Sequence, residues 1–304
     1  MSLEKIEYNK MTWINIERPT VDDIDYLAEH YAFHPLALED CLSRIERPKI
    51  DEFDDHLFIV MHFPMFDATR RISRPREVDF FIGRNYLVTL HDGVLKPLNN
   101  FYRDCLENES TRERYLSKGA STLLHAVVDR LVDYLFPILY KVDSQISQIE
   151  DDIFEDDTRD IVREISLVRR DIIALRRIIR PQMPILANLA DRDRPFIREE
   201  LDDYFDDVLD HMYKVRDLLD ENYEVIADLS ETTDSLLSHR INEVMRVLTV
   251  LSVIMLPLTL LSGIYGMNVT LPFERNPYAF WGMLGVMSLI FLVMIGYFRH
   301  RDWL

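Results

Sequence analysis

Near the end of the chain, Asn242, Thr249, Ser252, Thr259 and Gly263 are separated by 7, 3, 7 and 4 residues, which places them on one face of a helix. Met245, Leu248 and Leu256 sit on or beside the same stripe, and Val247, Val250, Leu251, Ile254, Leu258 and Leu261 form an aliphatic opposite face. Hydroxyl and amide oxygens on an otherwise apolar helix have two uses. They pack against another helix, as small and hydroxyl residues do in a bilayer, or they line water. No acid or base lies between Val247 and Ile264, which argues against a proton-coupled carrier. A neutral, oxygen-lined and partly apolar tube fits passive conduction instead.

The elements that must position these residues are two apolar segments. Val247–Ile264 is 18 residues without a charge and Ala279–Phe298 is 20. At about 1.5 Å per residue each crosses the hydrocarbon core, the first with slight help from its ends. Only fourteen residues join them, so the chain goes out and returns. Two spans per chain cannot enclose a channel, so the aqueous reading requires a homo-oligomer with the first span innermost. A membrane-anchored sensor or scaffold would account for an acidic stalk but not for a polar stripe within the bilayer.

Charge divides the chain. The formal net charge is −18, yet residues 247–304 hold Glu274 and Asp302 against Arg275, Arg299 and Arg301. The remainder is therefore strongly acidic, repels nucleic acid and anionic headgroups, and concentrates cations. Two cysteines, Cys41 and Cys105, form no metal-ligand spacing and suggest a reducing compartment. The first twenty residues lack an apolar core of signal-peptide type. Arg240 and Arg246 before the first span, with Arg299, His300 and Arg301 after the second, place both termini in the cytoplasm of a cell (inner) membrane protein. Enzyme motifs are missing: His91-Asp92-Gly93 has no HExxH, P-loop or nucleophile elbow beside it, and reads as a hairpin ending in a turn.

Residues 1–118 alternate strand and helix signals. Thr12–Ile16 predicts a strand, and Thr20 with two aspartates after it predicts a capped helix. Leu57–Phe66 predicts a strand that bends or ends at Pro64. Val78–Ile82 and Tyr86–Leu90 flank Gly83-Arg84-Asn85 as a hairpin, and Val94–Glu109 reads as a helix. From Gly119 to Gly263 there is no glycine. Residues 119–195 read as helices over Ser121–Asp156, kinked at Pro137, and Thr158–Asp191, interrupted at Pro181 and Pro184. Phe196–Leu256 lacks glycine and proline and predicts one rod: a stalk over 196–246 continuing into the span 247–266. An outer loop (267–278), the second span (279–298) and a basic tail (299–304) follow. Charge is blocked along the helices, with fourteen acids over Glu199–Asp234 and ten arginines over Arg159–Arg198. Such a rod needs basic neighbours, bound divalent cations, or both.

Tyr265-Gly266-Met267-Asn268 at the outer end of the first span resembles the signature of the CorA family of magnesium and cobalt transporters. Asn242-Glu243-Val244-Met245-Arg246-Val247-Leu248-Thr249 and Met255-Leu256-Pro257-Leu258-Thr259 are similar to that family's pore helix. The resemblance covers the whole chain. It implies an α+β cytosolic domain, a long stalk helix and two C-terminal transmembrane helices, assembled as a funnel-shaped homopentamer. It further implies Mg²⁺ entry down its gradient, with Co²⁺ and Ni²⁺ as companions, and no organic cofactor. Gly266, Met267 and Asn268 would form the outer selectivity ring, Asn242 an inner polar ring, and Met245, Leu248 and Leu256 apolar constrictions. Neutral oxygens hold a hydrated ion through its waters, which suits a cation that dehydrates reluctantly and must be released. Asp207, with Asp67 as its partner on the α/β domain and Asp210 nearby, matches a regulatory Mg²⁺ site between subunits. The outer loop departs from the family pattern: Leu271-Pro272-Phe273-Glu274-Arg275 sets Arg275 beside the expected cation-attracting Glu274. A zinc carrier of the same superfamily is the nearest rival, and the spans and their loop offer neither His nor Cys for zinc.

Overall fold

The computed structural model describes residues 2–42, 46–153, 158–191, 194–267, 278–301 and 303, with residues 158 and 159 by backbone alone. Two compact units divide the chain, Met1–Ser230 and Glu231–Leu304.

The first unit is built on a six-stranded mixed sheet. Its strands are β1 (Leu3–Tyr8), β2 (Met11–Glu17), β3 (Lys49–Glu52), β4 (Leu57–Asp67), β5 (Ile72–Ile82) and β6 (Tyr86–His91), in the order β1-β2-β6-β5-β4-β3. Only β2 and β6 run parallel. Residues 57–64 of β4 are all buried because both faces of the sheet are covered, which explains an apolar run without alternation. Helices α1 (Val21–His30) and α2 (Pro35–Asp40) cover one face, where Ile24, Leu27 and Leu38 meet Phe58, Phe81 and Val88. On the other, Phe101 and Tyr102 of α3 (Lys96–Glu107) lie 5.4 and 4.9 Å from Trp13, centroid to centroid. Thr20 caps α1 through a reciprocal box with Asp23, as its sequence predicts.

β4 does not end at Pro64. It continues to Asp67, with Pro64 directly opposite Pro75 of β5. The two missing N–H groups fall where the ribbon is only two strands wide, since β3 reaches only to Val60 and β6 pairs β5 only over Val78–Ile82. The β5–β6 hairpin closes through Gly83 N–H donating to the Tyr86 carbonyl at 3.1 Å.

The helical part contains α4 (Glu109–Leu116), α5 (Ala120–Asp133), α6 (Leu135–Asp152), α7 (Thr158–Ile179) and α8 (Met183–Leu189). The expected helix over Val94–Glu109 divides at Asn108, whose side chain caps α4 by accepting from the Ser110 N–H. The break expected at Pro137 falls at Tyr134. A proline ring clashes with the carbonyl four residues back, here Asp133, so the helix stops there and restarts with Pro137 in its first turn. Pro181 and Pro184 interrupt α7 with a 3-10 turn at Arg180–Gln182. A second 3-10 turn, Glu199–Leu201, precedes α9, which therefore begins at Asp202 rather than Phe196, where φ is +64°. α9 then runs unbroken to Tyr265, 64 residues or about 96 Å. It is one rod, and it passes through Pro257. α10 (Ala279–His300) follows.

A buried polar chain ties β2 to β6. Trp13 Nε1 donates to Thr89 Oγ1 (3.1 Å), Thr89 Oγ1 donates to Asn15 Oδ1 (2.7 Å), and His91 Nε2 lies 3.0 Å from that same oxygen. The Gly93 N–H donates to His91 Nδ1 at 3.0 Å, which assigns the ring proton to Nε2 and leaves no room for a second. Burial holds the His91 pKa down at about 4. The unfolded chain therefore takes up this proton first as pH falls, so the stability His91 confers is complete above about 6.5 and lost toward 4. Over that range the loss is about 3 kcal/mol. Thermal unfolding in detergent should show a marked drop in Tm between these pH values, flattened in His91→Gln; an unchanged slope would remove His91 as its source.

Candidate ion path and cation sites

In the second unit α9 and α10 pack through Val250, Ile254 and Phe298, joined by Leu258, Met294 and Ile295. The aliphatic face of α9 is thus divided: Val250, Ile254 and Leu258 lie against α10, whereas Val247 and Leu251 stay exposed. Asn242, Met245, Leu248, Thr249, Ser252, Leu256, Thr259 and Gly263 are all exposed, with Leu256 at 69%. Ser252, Leu256, Thr259 and Gly263 share a shallow groove with Met255 and Met267.

The hydroxyls on this face have spent their protons. Thr249 Oγ1 donates to the Met245 carbonyl (2.7 Å), Ser252 Oγ to Leu248 (2.8 Å) and Thr259 Oγ1 to Met255 (2.8 Å). Each oxygen then has lone pairs left to accept with and no proton to donate. Such a row suits the outward-pointing hydrogens of water around a cation. At the helix end the Gly266 N–H donates to the Ser262 carbonyl at 3.0 Å, and a Cβ on Gly266 would meet that oxygen at 3.2 Å. Glycine therefore permits a close approach here. Asn268 and Glu274 lie outside the described residues.

In the first unit Asp67 ends β4 with its carboxylate already engaged. Oδ1 accepts from the Thr69 hydroxyl (2.5 Å), the Thr69 N–H (3.0 Å) and the Arg70 N–H (3.2 Å), while Arg74 Nε stands 3.5 Å from Oδ2. Led by the Thr69 hydroxyl, these contacts hold its pKa below the usual carboxylate range. The group is a stable anion, but a cation would have to compete with these donors for its oxygens. Asp207 is exposed on α9, 4.0 Å from His211 Nε2, and Asp210 is exposed nearby. Asp67 and Asp207 share no hydrogen bond or ion pair among the described residues.

Folding assembles a cluster that the sequence does not announce. Asp129 and Asp133, one turn apart on α5, meet His211 of α9 with ligand atoms all within 4.8 Å of one another. His211 Nδ1 lies 3.4 Å from Asp133 Oδ1 without a hydrogen bond. Burial, then the Asp133 charge, pushes the Asp129 pKa up. Two carboxylates and an imidazole suit a borderline divalent ion such as Co²⁺ or Ni²⁺ better than Mg²⁺, which prefers oxygen throughout. Asp207, through its contact with His211, stands at the edge of this group.

Comparison with known proteins bears on the whole chain. A family model described as CorA-like Mg²⁺ transporter protein matches residues 8–300. The cobalt/magnesium transport protein CorA of Thermotoga maritima is 31% identical over 304 residues, 96% of this chain and 83% of that protein. The complete structure of the CorA magnesium transporter from Methanocaldococcus jannaschii superposes with a TM-score of 0.86 at 22% identity, over 99% of this chain and 95% of that one.

Proposed function

Since the chain belongs to the CorA-like Mg²⁺ transporter family, whose members move divalent metal ions across membranes and are not enzymes, we propose that five copies gather their α9 helices around a common aqueous axis and let Mg²⁺ enter passively. The observation that carries this reading is the two-sidedness of α9. One face is covered by α10, and the face bearing Thr249, Ser252 and Thr259 is left open with only acceptor oxygens to offer. Facing lipid, those oxygens would gain nothing; facing water, they stabilise a hydrated ion.

Asn242 forms the inner polar ring, Met245, Leu248 and Leu256 the apolar constrictions, and Gly266, Met267 and Asn268 the outer ring. Arg240 and Arg246 at one end of the first span and Arg299 and Arg301 after the second favour cytoplasmic termini. An inside-negative potential then draws a divalent ion inward with about 4.6 kcal/mol per 100 mV. Internal Mg²⁺ closes the path by binding at Asp207, with Asp67 of a neighbouring copy as its partner and Asp210 nearby.

Purified protein should run in detergent at the mass of five chains. In liposomes it should pass Mg²⁺ faster than Zn²⁺, with Co²⁺ also admitted. A monomeric particle would remove the axis, and preference for Zn²⁺ would transfer the chain to the zinc branch.

A further inference from the structure

A cavity of about 450 Å³ lies between the end of α4, the first half of α5 and the turn leading into α9, within the size range of small-ligand sites. Arg114, Lys118, Arg130 and Arg198 line it. Arg198 is held in place by Thr122 Oγ1, which accepts from Nη2 at 2.6 Å, and by Ser121 Oγ at 3.4 Å from Nε. Arg130 stacks 3.8 Å over Phe101 and donates to the Tyr115 hydroxyl at 2.9 Å. Its other fork donates to the Ala126 carbonyl.

The chain carries 53 acids against 35 bases, so its cations should find partners readily. Here they do not. Arg114, Lys118 and Arg130 form no ion pair among the described residues, and Arg198 reaches only Glu200, at 3.9 Å with that carboxylate 84% exposed. Four cations kept around one cavity, two with guanidinium forks fixed by hydroxyls, are arranged for an oxyanion. Tyr204, 58% exposed, lines the same cavity; it stands edge-on to His125 at 5.6 Å and offers a ring to a planar base.

We propose that this cavity binds a nucleoside triphosphate, its phosphates among Arg114, Lys118 and Arg198 and its base against Tyr204. Asp129 lines the same cavity and belongs to the Asp129–Asp133–His211 cluster, so a magnesium-chelating nucleotide would lie beside a cation-responsive group. Binding itself does not depend on the pore reading, so the test measures binding and not transport.

Calorimetric titration of the full-length protein in detergent, with ATP and with pyrophosphate, decides the matter. ATP should bind saturably, and pyrophosphate at least about tenfold more weakly, because a stacked base contributes about 1–3 kcal/mol. Arg114→Glu with Lys118→Glu, both at exposed positions, should weaken ATP by at least about tenfold while leaving the size-exclusion profile unchanged. Tyr204→Ala should bring ATP down to the level of pyrophosphate. Absence of saturable ATP binding, or ATP affinity indifferent to the charge reversal, would overturn the site; equal affinities for ATP and pyrophosphate would overturn its assignment to a nucleotide.

Discussion

Asn268→Ala should abolish Mg²⁺ uptake into liposomes at an imposed inside-negative potential. In the proposed outer ring the Asn268 amide oxygen would accept from water of the hydrated ion, and each hydrogen bond of that charge-assisted kind contributes about 1.5–3 kcal/mol. Losing one from every copy in the ring lowers uptake by more than about tenfold even if the contributions are far from additive. Asn268→Asp separates attraction from conduction. A ring of carboxylates would hold the ion more tightly and release it more slowly, so uptake should fall while Mg²⁺ protects the particle at lower concentration. Full uptake by Asn268→Ala would refute the outer ring.

Asp207→Lys should leave a transporter that internal Mg²⁺ shuts poorly. Asp207 is 69% exposed on its side chain, so its charge is screened and its share is only about 1 kcal/mol. Charge reversal in every copy should raise the half-inhibiting internal Mg²⁺ by at least about fivefold per site. His211→Ala and Asp129→Asn test the neighbouring cluster. They should weaken inhibition by Co²⁺ more than by Mg²⁺, because only the softer ion gains from imidazole. Acidification should relieve inhibition too, since the raised Asp129 pKa lets a proton displace the metal at higher pH than an ordinary aspartate would. Undiminished Mg²⁺ sensitivity in Asp207→Lys would reduce Asp207 to a surface charge.

Much of the scaffold is written in local signals. The Thr20 capping box, the turn at Gly83 and the absence of glycine and proline from the stalk each act within a few residues, and each corresponds to a feature of the fold. Edge strands carry weaker signals. β1 and β3 are short, polar and half-exposed, and α2 is six residues long, so their order derives from the sheet and core they join. Pro64 misleads because its cost depends on a partner strand, and Pro75 stands opposite. The Asp129–Asp133–His211 cluster is invisible for a related reason. Asp129 and Asp133 read as an ordinary solvated helix face until α9, more than seventy residues later, brings His211 to them. The signature turn is different: it is recognised by its string and place rather than by any geometry of the chain.

Thiol accessibility tests the proposed aqueous axis directly. The native Cys41 and Cys105 are buried, and burial pushes the Cys105 thiol up to about 12, so their background labelling is low. In proteoliposomes, cysteines at Ser252→Cys and Thr259→Cys should react with a charged, membrane-impermeant methanethiosulfonate and lose Mg²⁺ flux as they do. Ile254→Cys, packed against α10, should stay unlabelled and conducting. If the reagent reached positions 252 and 259 no faster than 254, no water would run along that face, and the account of α9 as the inner wall of a channel would be wrong.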